Sequence, residues 1–151
     1  MKTFVILCIG LISSVGATAT RPPLNEAIVS ALVKEGMSEP PVRASYDACD
    51  SGGPISMKIC FRYRLKGEQM RIEDALRDLQ SAMSKKSANA NAEALKRAQD
   101  AWEKFQQLHC SLQGDMSNFD YGTVALACEW ELARQRADSL VEVLSWYSPT
   151  E

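Results

Sequence analysis

The sequence predicts an all-α fold, a small antiparallel helical bundle stapled by two disulfides. Three observations carry that prediction. Apolar residues recur every three or four positions through most of the chain, the period of one helix face. No stretch alternates apolar and polar residues for long enough to argue for a sheet. Four cysteines follow an export signal, in a setting where thiols become crosslinks.

Residues 1–19 read as a cleaved secretory signal peptide. Lys2 precedes a short apolar run from Phe4 to Ile12, and small residues end in Ala17-Thr18-Ala19. The run falls short of the roughly 20 apolar residues that span a bilayer. Leu7 precedes Cys8 and most of the apolar run follows it, unlike a lipidation site, so Cys8 is expected to leave with the leader. The mature chain is therefore expected to be periplasmic or secreted, with no membrane span. It keeps 16 Lys and Arg against 19 Asp and Glu, a formal charge of −3. That balance argues against nucleic acid as a partner, which needs a basic face.

Residues 20–44 are expected to form an N-terminal helix and a Pro-rich linker. Leu24, Ala27, Ile28, Ala31 and Leu32 make one apolar stripe, with Pro23 near its start and Gly36 past its end. Glu39-Pro40-Pro41-Val42 cannot continue that helix and reads as the linker. This helix either packs on the domain or stands as an appendage, and the appendage is favoured because a proline linker uncouples what precedes it.

Residues 45–147 form the main domain. Asp50-Ser51-Gly52-Gly53-Pro54 is a turn, and Pro54 suits a first helical turn. From there Met57, Cys60 or Phe61, Leu65, Ile72, Leu76, Leu79 and Met83 keep helical spacing, opposite Arg62, Arg71, Asp74, Arg77 and Asp78. Gly67 weakens the middle of this helix by about 1 kcal/mol relative to Ala and is a place for a bend. A polar connection over residues 85–91 leads to the next helix, at about 92–112. Its inward stripe is expected to be Leu95, Ala98, Trp102, Phe105, Leu108 or His109, and Leu112. Residues 113–118 read as a turn. The last helix starts near 119–121 and runs to about Trp146, with Val124, Ala125, Cys128, Leu132, Leu140, Val143 and Leu144 inward.

Cys49, Cys60, Cys110 and Cys128 permit three pairings. The local one, Cys49 with Cys60 and Cys110 with Cys128, is expected because each pair sits within or across one short segment. Closing loops of this size is worth roughly 3 kcal/mol each in the chain-entropy account.

Most catalytic chemistry is excluded. His109 is the single histidine, and it neighbours a cysteine expected to be crosslinked. No G-x-S-x-G turn, C-x-x-C pair, P-loop or dinucleotide glycine pattern occurs. Glu73–Asp74 and Glu129 with Glu131 lie among arginines on polar faces, so a solvated face outweighs a glycosidase pair. No enzyme, catalytic residue, metal or cofactor is expected. Trp102 and Phe105 read as core. One feature is not core-like. Gly114 to Tyr121 mixes a glycine, carboxylates and aromatics between two cysteines, so Asp115, Asn118, Phe119, Asp120 and Tyr121 form a candidate partner-binding loop.

Tyr46-Asp47-Ala48-Cys49 with Cys60 after ten intervening residues, then Ala98-Gln99-Asp100-Ala101-Trp102-Glu103-Lys104-Phe105 leading to Cys110, then Cys128 and Leu132-Ala133-Arg134-Gln135-Arg136 with Leu140, form a recognisable series. It resembles the LprI-like lysozyme-inhibitor N-terminal domain family of exported, mostly bacterial proteins, over residues 45–144. The resemblance implies an all-helical, disulfide-linked domain in which Gln99, Trp102, Phe105 and Arg136 are structural motif residues. It implies a protein partner, lysozyme, and an inhibitory rather than enzymatic role. The alternative is an envelope structural or interaction module with another protein partner, docked through the 24–36 helix. Two departures stand out: Gln106-Gln107 replace the family's usual Arg-Asp, and Arg77 and Gln80 stand where Asn and Tyr are common.

Overall fold

The computed structural model describes residues 22–85, 89–118 and 120–147. The leader at 1–19, Cys8 and Phe119 lie outside the described residues. The described chain contains five helices and no strand: α1 (Glu26–Lys34), α2 (Glu39–Ser45), α3 (Pro54–Lys85), α4 (Asn89–Met116) and α5 (Tyr121–Tyr147). No described helix is long and apolar enough to cross a membrane.

The three long helices run up, down and up. Cross-links fix the directions. Lys58 pairs with Asp120 at 2.8 Å and Arg71 with Asp138 at 2.8 Å, so α3 and α5 run parallel. Gln106 meets Glu129, and Gln99 meets Arg136, so α4 runs antiparallel to α5. Leu65, Ile72, Ala75, Leu79 and Met83 of α3 bury against Ala133, Ala137 and Leu140 of α5. Small residues at 133 and 137 let the two backbones approach closely, so the largest helix contact is this parallel pair.

Both disulfides take the local pairing, Cys49–Cys60 and Cys110–Cys128. The first ties the turn before α3 to its second turn. The second ties the end of α4 to α5. Around Cys49–Cys60 a smaller cluster gathers Phe61, Met57, Leu126, Ala127 and Trp130, with the Phe61 and Trp130 rings 5.9 Å apart.

The N-terminal segment corrects the expectation of an appendage. Ile28, Val29 and Leu32 of α1 are buried with Val42, Tyr46 and Tyr63 in a core of their own. Ala27, assigned to the inward stripe, is exposed, and Val29 takes its place. The Tyr63 hydroxyl accepts from the Asn25 amide at 2.7 Å, and the Tyr46 hydroxyl donates to the Pro22 carbonyl at 2.8 Å. The proline stretch is not a linker. Pro40 and Pro41 occupy the first turn of α2, where an N–H has no helical acceptor to lose. Arg43 then clamps α2 to α1 through both oxygens of Glu26. Gly67 lies inside the unbroken span of α3, and a Cβ at 67 would stand 3.0 Å from Ile28 Cδ1. The glycine is where α1 crosses α3.

Candidate functional site

Two features carry the residues singled out by sequence: a polar seam between α4 and α5, and the short turn that joins them. The seam is built on one face of α4, where Gln99, Trp102, Gln106 and Cys110 recur at helical spacing. Arg136 Nε donates to Gln99 Oε1 at 3.1 Å, and Gln99 Nε2 donates to Glu103 Oε1 at 3.0 Å. The Arg136 guanidinium lies 6.0 Å from the Trp102 ring centroid. Burial holds Arg136 below the usual guanidinium range. A glutamine rather than a carboxylate is its partner, so the seam positions a cation without neutralising it.

Gln106 completes the seam. Its Nε2 donates to the Glu129 carbonyl at 2.7 Å. The sequence reading noted Gln106 only as a departure from a family pattern. Its place seven residues beyond Gln99 and four beyond Trp102 is the signal that puts it on the same face. Gln99, Trp102, Glu103 and Gln106 also line a cleft of about 310 Å3 with Gln69, Ile72, Glu73 and Leu76 of α3.

Phe105 does not join this group. It is exposed and stacks on His109, ring centroids 5.2 Å apart. Leu112, expected in the core, is exposed as well, and of the alternatives Leu108 and His109 it is His109 that is half-buried and Leu108 that is exposed. The physical reason is the choice of face. α4 meets α5 through polar Gln99 and Gln106 and through the Cys110 staple, with Leu95 and Trp102 packed on the core, and this turns Phe105, Leu108 and Leu112 outward. His109 is half-buried, and its Nε2 lies 2.9 Å from Gln113 Nε2. No group of acidic, histidine or cysteine residues able to hold a metal occurs among the described residues.

The turn is shorter than the sequence suggests. Asp115 lies in the last turn of α4, and α5 begins at Tyr121, so the connection is residues 117–120. Asn118 is exposed there. Asp120 is the residue before α5: its carbonyl accepts from the Thr123 and Val124 amides, and its Oδ2 accepts from the Thr123 hydroxyl at 2.7 Å. Lys58 of α3 pairs with the same carboxylate. Hydrogen bonds from Lys58 and Thr123 hold Asp120 below the usual carboxylate range. The turn is therefore tied on one side by Cys110–Cys128 and on the other by the bridge to α3.

The other carboxylates near this end divide by environment. Glu131 accepts from Arg134 and Gln135, which lower it to about 2. Burial pushes the half-buried Glu129 up, with Arg62 opposing. Asp115 forms no ion pair among the described residues.

A family model described as Lysozyme inhibitor LprI matches residues 47–140. No curated protein and no solved structure matches the chain.

Proposed function

The chain belongs to the lysozyme inhibitor LprI family, and on that premise we propose that it is an exported, non-catalytic protein that binds a lysozyme and blocks it. The proposed contact is the turn joining α4 and α5, with the residues singled out by sequence, Asp115, Asn118, Phe119, Asp120 and Tyr121, as its candidates.

The observation that carries this reading is the double restraint on that turn. A disulfide at residues 110 and 128 and the Lys58–Asp120 bridge hold its two sides on different helices. A segment ordered before it docks loses little conformational entropy in docking. The net negative charge of the mature chain favours encounter with a basic enzyme. The competing module reading relied on α1 as a free docking helix. Its apolar face is already buried against Tyr46 and Tyr63, which removes the support for that route.

A cell-wall lysis assay tests the proposal. Stoichiometric purified, disulfide-intact protein is expected to slow lysis, and full lysis in its presence overturns the reading. Asn118→Arg tests the contact. The side chain is exposed, so the fold is kept, while a cation at the turn is expected to weaken inhibition by about tenfold. Full inhibition by that variant moves the contact elsewhere.

A further inference from the structure

The outer face of α4 carries an apolar seam that nothing in the chain covers among the described residues. Phe105, Leu108, Leu112 and Met116 are 52%, 72%, 56% and 76% exposed. Ala94, Ala98 and Ala101 continue the same face toward the start of the helix and are exposed too. From 94 to 112 the positions alternate steps of four and three, the seven-residue repeat that meets a partner helix along a seam. The seam from 94 to 116 is about 33 Å long.

Its composition is graded. The first half is alanine and the second half is large. A second copy laid antiparallel, with Phe105 against Leu108 of that copy, sets Ala101 against Leu112 and Ala98 beside Asp115 and Met116. Small then meets large at both ends, where Leu112 and Met116 find the room left by Ala101 and Ala98, and Phe105 meets Leu108 at the centre. A parallel pairing sets large on large at one end and leaves a gap at the other.

Charge follows the same register. Arg97 borders the alanine end of the seam and Asp115 borders the far end. Neither forms an ion pair among the described residues, which leaves both charges available to a partner. The antiparallel register brings Arg97 of each copy alongside Asp115 of the other, twice by symmetry.

We propose that α4 is the seam of an antiparallel homodimer, with the second copy of this chain as its occupant. The pairing leaves the two 117–120 turns pointing away from each other at opposite ends of the α4 pair, roughly 35 Å apart along the helix axis. The dimer does not depend on lysozyme binding. It would present two such turns.

Sedimentation equilibrium on the disulfide-intact protein tests it. A dimer at micromolar concentration is expected, and a monomer into the millimolar range overturns the proposal. Leu108→Glu is expected to weaken association by more than about a hundredfold, because it buries a charge at the centre of the seam. Ile55→Glu, at an exposed apolar residue outside α4, is expected to leave the dimer intact. If it dissociates the dimer instead, the seam is elsewhere. The register is read by exchange of charge. Arg97→Asp and Asp115→Arg are each expected to weaken the dimer by about tenfold. The doubly exchanged chain is expected to regain the original affinity. A double variant weaker than either single one overturns the antiparallel register.

Discussion

Single residues at the α4–α5 seam carry charge states that the fold sets. Glu129 is the clearest. Burial raises its carboxyl above its ordinary 4.5, so folding favours the protonated form. Its contribution to stability is present below 4.5 and is lost as pH rises through the raised value, so at neutral pH the ionised group opposes folding. Glu129→Gln is therefore expected to raise Tm at pH 7, with the gain vanishing in acid below the carboxylate range. The main-chain bond from Gln106 is unaffected by the change. Thermal melts at two pH values check this, and an equal gain at both would contradict the assignment. Asp120 has the opposite sign. Its lowered carboxyl stabilises the fold above 3.8 and ceases to do so as pH falls through its lowered value. Neither sign is visible in sequence, because Glu129 owes its own to burial in the folded chain and Asp120 owes its own first to Lys58 on another helix.

Among the elements, the crossing of α1 over α3 rests on Gly67. Only the flexible tip of Ile28 meets a Cβ there, at 3.0 Å. Gly67→Ala is expected to be close to neutral, since a helix-propensity gain of about 1 kcal/mol offsets a small shift of Ile28. Gly67→Leu is expected to lift α1 from α3. Hydrogen exchange reads it: α1 amides should lose protection while those of α5 keep theirs. The helices themselves were legible, because a 3.6-residue period needs no partner to be seen. The direction each face points was less so. In α4 Phe105, Leu112 and one of Leu108 and His109 read as core, yet Gln99 and Gln106 face α5. Side chains that hydrogen-bond across a helix pair can take an inward position that hydropathy alone assigns to leucine.

At the scale of the whole molecule, the N-terminal segment is part of the domain. A chain beginning at residue 45 loses the partners of Tyr46 and Tyr63 and opens the surface that Ile28, Val29, Leu32 and Val42 cover. Such a chain is expected to unfold at lower urea, with a smaller denaturant slope, and to bind a hydrophobic dye. Unchanged unfolding would restore the appendage reading. The misreading has a definite cause. Two adjacent prolines read in sequence as breakers, whereas the first turn of a helix accepts them at 40 and 41.

The sequence by itself determined the helical class, the family, and the cysteines available for crosslinking. Periodicity and residue spacing are local properties of the chain. Tertiary structure decided that α1 and α2 belong to the core, that α3 and α5 run parallel, and that Arg136 rests on Gln99. It also decided that the candidate loop shrinks to residues 117–120, and that Phe105, Leu108 and Leu112 of α4 face out while Leu95 and Trp102 pack inward. Each of these depends on which residues meet across distant parts of the chain. A single helix has several faces to offer, and only its neighbours select the one that is buried.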